Sequence, residues 1–91
     1  MIEIDMNNPS FQESFFALEK SDLISVIRAC QKIRTLTWEQ LYQHSGFHWK
    51  WISRKNYYTF RASSKIRISA IREGEVLRLF GVFEDHDSAY A

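Results

Sequence analysis

The stretch that decides the fold reads YYTFRASSKIRISAIREGEVLRLFGVF, residues 57–83. Apolar and polar side chains alternate along 58–62 and again along 66–70, the period of strands with one buried face. Gly74 lies in the following segment REGE, where a tight hairpin needs a residue with positive φ. Residues 76–83 are almost continuously apolar, as in a strand with neighbours on both sides. The pattern predicts three strands joined by short turns.

The first half of the chain has the patterns of a strand and of helices. Residues 1–6 alternate apolar and acidic side chains, which predicts a strand. Ser10 and Glu13 have the spacing of a capping box, which predicts a helix over 11–19. A second helix is indicated by apolar residues at helical spacing, namely Leu23, Val26, Ile27, Cys30 and Ile33.

A third, short helix is expected where Thr37 and Gln40 form another capping box, and it stops at Gly46. The predicted fold is therefore α+β: an N-terminal strand, two to three helices, then a three-stranded antiparallel meander. Helices cover one face of a four-stranded, mainly antiparallel sheet and leave the other face free. At 91 residues the chain is expected to be one domain, 1–91.

Composition indicates the cellular location in which the chain is expected to act. No apolar stretch approaches the roughly 18 residues of a membrane span. The N-terminal segment MIEIDMNNPS has neither the basic start nor the apolar core of a secretory signal. A single cysteine, Cys30, has no internal partner for a disulfide, and its place on a helical apolar stripe favours a core position. We expect a cytoplasmic protein with no membrane partner.

Charge is distributed unevenly along the chain. Residues 44–78 contain eight basic and two acidic side chains, although the whole chain has a formal net charge of only +1. Such a basic segment favours a polyanionic partner. Arg61 and Arg67 lie on neighbouring predicted strands, and Arg78 on the last strand is expected to join them on the free face. Guanidinium groups bind phosphate well because each offers a planar fork of donors.

The C-terminal segment EDHDSAY, residues 84–90, allows two interpretations. One is a solvated acidic tail, in which Asp85 and Asp87 form turns or pair with Arg67. The other is the chemical end of a site, because His86 is the side chain best suited to proton transfer near neutral pH.

Residues 57–90 resemble the RelE/ParE superfamily of small toxins in bacterial toxin–antitoxin pairs. The matching positions are Arg61 in YTFRAS, Arg67 in KIRISAI, and His86 and Tyr90 at the end of the chain. The N-terminal half resembles the family only in the order of its elements. The resemblance implies the RelE-like fold and a cognate antitoxin protein as partner.

The same resemblance implies an endoribonuclease that cleaves messenger RNA on the ribosome, with no metal and no cofactor. The RNA 2′-hydroxyl attacks the adjacent phosphate, His86 transfers protons, and Arg61 and Arg67 stabilise the developing charge. Tyr90 stacks on a base or assists proton transfer, while Lys65, with Arg78, holds neighbouring phosphates. The alternative is a ParE-like toxin or regulator that acts by binding a protein such as DNA gyrase and has no nuclease activity.

Two further motifs have more than one interpretation. The segment FHWKW, residues 47–51, interleaves aromatic and basic residues and either packs a loop onto the sheet or stacks RNA bases. His44 and His48 have the spacing of a helical metal pair, but Gly46 interrupts any helix between them. We therefore expect no metal site there.

Overall fold

A computed structural model describes residues 1–84 of the chain. Within this range it contains five strands and three α-helices, and the three helices follow the first strand and precede the other four. In chain order the elements are β1 (Glu3–Asp5), α1 (Pro9–Phe16), α2 (Lys20–Ile33), α3 (Trp38–Gln43), β2 (Lys50–Ile52), β3 (Tyr57–Arg61), β4 (Ile66–Glu73) and β5 (Val76–Glu84). The class is α+β, as the sequence predicts.

The strands of the described range form one mixed sheet in the order β1-β5-β4-β3-β2. Strands β2 to β5 are consecutive and antiparallel, and β1 pairs in parallel with β5. The prediction of a four-stranded sheet with a three-stranded meander is therefore wrong in size, because β2 adds a fourth strand to the meander. Strand β2 has only three residues, too few to show a period of two.

The helix starts follow local capping chemistry. Thr37 accepts a hydrogen bond from the Gln40 amide while the Gln40 side chain accepts one from the Thr37 amide, so the predicted capping box of α3 is confirmed. The predicted capping box at Ser10 is wrong. Helix α1 begins two residues earlier, because Asn8 caps it through the Phe11 amide and Pro9 occupies the first turn.

The core lies between the helices and one face of the sheet. Its central side chains are fully or almost fully buried: Phe11, Val26, Ile33, Leu41, Phe60, Ile68, Leu77 and Leu79. Four residues of the predicted α2 stripe pack here, whereas Ile27 is 38% exposed. Ala29 is buried on that helix instead, next to Cys30.

Strand β5 begins at the tight β4–β5 turn, and its outer edge is covered in two different ways. Gly74 has φ +61° in the hairpin, as the sequence predicts. A register shift opposite Ser69 and Ala70 bends β5. Beyond the short β1, the Val82 amide donates to Ser14 Oγ of α1 at 3.2 Å, so helix α1 covers the sheet edge there. No helix among residues 1–84 has both the length and the apolar character to cross a membrane.

Candidate functional site

Arg61 and Arg67 are direct cross-strand partners in the β3–β4 pair. The Arg61 amide donates away from β4, to the Phe47 carbonyl at 2.7 Å. The two arginines therefore form a non-hydrogen-bonded pair, the type in which Cα atoms are only about 4.5 Å apart and side chains lie closest. Both side chains project from the face opposite the helices. This is the pair that the sequence places on neighbouring strands around the ASSK turn, and its adjacency is confirmed.

Small side chains lie next to this arginine pair. Thr59 pairs with Ser69 across β3 and β4, and Ser69 pairs with Gly81 across β4 and β5. A Cβ on Gly81 would lie 3.4 Å from Ser69 Oγ, so a larger side chain at position 81 would contact Ser69. Three small residues therefore lie beside the two arginines on three neighbouring strands. We call these five residues, Thr59, Arg61, Arg67, Ser69 and Gly81, the arginine face.

Burial on the arginine face is greater than the sequence predicts. Thr59 is fully buried, and Arg67 and Ser69 are each only 5% exposed, whereas Arg61 is partly exposed. The expectation that this face of the sheet is free is therefore wrong for these positions. Within residues 1–84 Thr59 Oγ1 has no hydrogen-bond partner, which is uncommon for a buried hydroxyl. The Thr59 hydroxyl thus retains hydrogen-bonding capacity.

The charge on this face favours anions. Two guanidinium groups on directly opposed positions of adjacent strands can donate N–H groups to the oxygens of a single phosphate. Arginine keeps its charge at any pH at which a protein is folded. The arrangement can therefore bind an oxyanion and stabilise negative charge, but it contains no group that exchanges protons near neutral pH.

Arg78 lies apart from the arginine pair. It is the register partner of Ile71, whereas Arg67 is four residues earlier on β4, so the two arginines are about 13 Å apart along the strands. Arg78 Nε is 2.6 Å from Glu73 Oε1 and 3.6 Å from Asp5 Oδ2. Intramolecular carboxylates therefore hold the Arg78 side chain at the far end of the sheet.

Lys65 faces the helical layer. Lys65 lies in the turn that joins β3 to β4, and its Nζ donates to Asp22 Oδ2 of α2 at 3.1 Å. This hydrogen bond, together with the attraction of the Asp22 charge, raises the pKa of Lys65 above its usual value. The lysine remains exposed, so the pair is screened by solvent.

The remaining residues predicted to act in catalysis, His86 and Tyr90, lie outside the described residues, as do Asp85 and Asp87. The described part of β5 ends at Glu84, and Phe83 is the register partner of Arg67. Thus the last described residues of the chain border the arginine pair.

Cys30 and His44, two other potentially reactive side chains, have structural contacts. Burial raises the pKa of the Cys30 thiol to about 12, so the thiol stays protonated and unreactive in the core. His44 packs against Phe47 with ring centroids 4.6 Å apart, and its Nδ1 accepts from the Gly46 amide. No group of three or more potential metal ligands occurs among residues 1–84.

The sequence motif FHWKW divides between two environments. Phe47 is buried in the core and Trp49 is partly buried, with its ring stacked on Tyr58 at 4.7 Å. Trp51, in contrast, is 46% exposed at the edge strand β2. Alternation along 47–51 places the three aromatic residues on one side and His48 and Lys50 on the other, so it gives no signal that Trp51 is the exposed one.

Comparisons of the chain with models of protein families, with curated proteins and with solved structures each found no match. The functional argument therefore depends on the residues and geometry of the chain itself.

Proposed function

We propose that this chain is a toxin-like endoribonuclease that binds messenger RNA on its arginine face. The observation that supports the proposal best is the direct cross-strand pairing of Arg61 and Arg67. Two guanidinium groups side by side match the oxygens of one phosphodiester, and Arg61 is the partly exposed member of the pair.

The chemistry proposed is metal-independent transesterification within the RNA. The 2′-oxygen attacks the adjacent phosphorus, the bond from phosphorus to the 5′-oxygen breaks, and a 2′,3′-cyclic phosphate and a 5′-hydroxyl form. His86 takes the 2′-proton or protonates the leaving 5′-oxygen, with Tyr90 as its partner in proton transfer or as a stacking surface for a base. Arg61 and Arg67 stabilise the additional negative charge on phosphorus.

The partners proposed are the ribosome, which presents the message, and an antitoxin protein that keeps the activity in check. Cytoplasmic location follows from those partners. The basic segment 44–78, with eight basic and two acidic residues, supports both kinds of partner, since RNA and an acidic antitoxin peptide are each anionic.

A second candidate function is ParE-like binding of a protein such as DNA gyrase, without nuclease activity. One observation favours it: Arg67 is only 5% exposed. A side chain so buried stabilises the sheet face more readily than it meets a substrate phosphate. In this alternative the fold presents a binding surface, and replacement of His86 leaves toxicity unchanged.

The test is to express the wild-type chain, His86→Ala and Arg61→Gln in bacteria and map new 5′ ends of messenger RNA. Arg28→Gln, an exposed arginine on α2, is the matched control for removal of one positive charge. We expect cuts within translated codons in the wild type and the control, and no such cuts in the other two variants. Arrested growth with intact messages would instead support the protein-binding candidate.

A further inference from the structure

The segment of residues 50–58 forms a projecting hairpin at the edge of the sheet opposite β1. Ile52 pairs with Tyr57, and the Ile52 carbonyl accepts from the amides of both Lys55 and Asn56, at 3.1 and 2.8 Å. Asn56 has φ +60°, a conformation that asparagine tolerates better than most residues. The tip is therefore fixed by backbone geometry. We call residues 50–58 the aromatic–basic hairpin.

On its helical side the hairpin carries a ladder of aromatic rings. Trp51 meets Tyr58 edge to face at 4.8 Å, Tyr58 stacks on Trp49 at 4.7 Å, and Trp49 stacks on Phe60 at 6.2 Å. Phe60 is fully buried and Trp51 is 46% exposed. Core packing thus holds the inner rings in place, and the Trp51 indole, in contact with Tyr58, presents part of its surface to solvent.

The tip of the hairpin is positively charged. Arg54 and Lys55 are exposed, and no acidic residue occurs in the sequence between Glu39 and Glu73. Among residues 1–84 no ion pair or side-chain hydrogen bond engages either of these two cations. Their charge is therefore available to a ligand, at a place where the local sequence supplies no carboxylate.

We propose that the aromatic–basic hairpin binds single-stranded nucleic acid, with one base stacked on Trp51 and neighbouring phosphates on Arg54 and Lys55. An exposed, supported ring beside paired cations is the combination that such strands require, since every base has a π-face and every linkage a charge. An acidic peptide gains from the cations but not from the ring. This surface is separate from the arginine face, because Trp51 and Arg61 project from opposite faces of the sheet.

The experiment measures binding of a fluorescein-labelled 12-nucleotide oligouridylate by fluorescence anisotropy across a range of salt concentrations. Trp51→Leu keeps an apolar side chain against Tyr58 but removes the aromatic ring, and Trp51→Phe restores a ring. Arg54→Ser with Lys55→Ser removes both cations. The matched control is Lys32→Ser with Arg34→Ser, which removes two exposed charges from the end of α2.

We expect Trp51→Leu to weaken binding roughly tenfold, Trp51→Phe to recover much of it, and the control to bind like the wild type. The Arg54–Lys55 double variant should reduce the slope of log affinity against log salt by roughly 1.4, because each phosphate that the protein no longer neutralises lowers this slope by about 0.7. A Trp51→Leu protein that stays folded and binds like the wild type overturns the proposal. So does a wild type that binds a 12-residue polyglutamate as tightly as the oligouridylate, or that binds neither.

The result of this binding measurement is independent of the result of the cleavage experiment. Messages cut by a protein whose hairpin binds no RNA would leave the nuclease proposal intact and the hairpin proposal wrong. Binding at the hairpin without cleavage would give the opposite result.

Discussion

The guanidinium carbon of Arg72 lies 4.1 Å from the centroid of the Trp38 ring, so the end of β4 covers the first residue of α3. Arg72 also donates to Tyr42 Oη and to the Gly74 carbonyl, each at 2.9 Å. The Trp38 indole N–H donates in turn to the carboxylate of Glu75. A helix of six residues is marginal alone. These contacts therefore hold α3 on the sheet.

We predict that Arg72→Leu lowers the free energy of unfolding by about 1–2 kcal/mol, because it removes a cation–π contact and two hydrogen bonds. Urea denaturation followed by tryptophan fluorescence measures this change. Arg28→Leu, on the exposed side of α2, is the control and should change stability by less than about 0.5 kcal/mol. Equal stability of the two variants would show that the Arg72 contacts contribute nothing measurable.

A second prediction concerns the β4–β5 hairpin. A Cβ added at Gly74 meets no atom within 4 Å, so the cost of substitution there comes from the backbone, whose φ is +61°. We expect Gly74→Ala to destabilise the fold by about 1–2 kcal/mol and Gly74→Asn to cost less, since asparagine tolerates this conformation. Thermal unfolding of both variants gives the comparison. Alanine as stable as asparagine would contradict a backbone origin.

Much of the fold could be predicted from local sequence, and the errors have physical causes. Alternation predicted β3 and β4 and a continuous apolar run predicted β5, but β2 is too short to alternate and depends on pairing with β3. At α1 both Asn8 and Ser10 offer a side-chain acceptor for capping. Pro9 favours Asn8, because proline suits the first helical position and the residue before a proline takes the extended conformation of an N-cap.

Some features of the candidate site could likewise be predicted from the sequence and others could not. The adjacency of Arg61 and Arg67 follows from a short turn and could be predicted. The nearer partner of Arg78, Glu73, lies across the local β4–β5 hairpin and could have been predicted. The second partner, Asp5, could not, because it lies on β1, whose parallel register with β5 is set by tertiary packing. Burial of Arg67 also has no local signal, since an arginine in an alternating strand has the same pattern whether its face is open or covered.

The third prediction is a pH dependence that comes from Cys30. The pKa of this thiol is raised by burial from 9.0 to about 12. A raised pKa means that the unfolded chain loses its proton first, so the stabilisation is complete below pH 9 and is lost as pH rises towards 12. We expect urea denaturation to show wild-type stability falling between pH 8 and pH 10.5 more steeply than that of Cys30→Ala.

Native Cys30 should also resist alkylation by iodoacetamide at pH 8 and react once urea unfolds the chain, because only the thiolate attacks. Rapid labelling of the folded protein, or identical pH profiles for wild type and Cys30→Ala, would show that the thiol is more accessible than its 5% exposure indicates.

The last prediction tests the arginine face without RNA. If Arg61 and Arg67 bind a phosphate in the folded state, phosphate must stabilise that state, by about 1.4 kcal/mol at a concentration ten times Kd. In a chain of this length we expect the midpoint of thermal unfolding to rise by several degrees in sodium phosphate relative to sodium chloride of equal ionic strength. Phosphate also stabilises proteins in general by exclusion from their surfaces. Arg61→Gln and Arg28→Gln separate the two effects. The specific part should disappear in Arg61→Gln and persist in Arg28→Gln, whereas an equal response in both would mean that the arginine face does not bind phosphate.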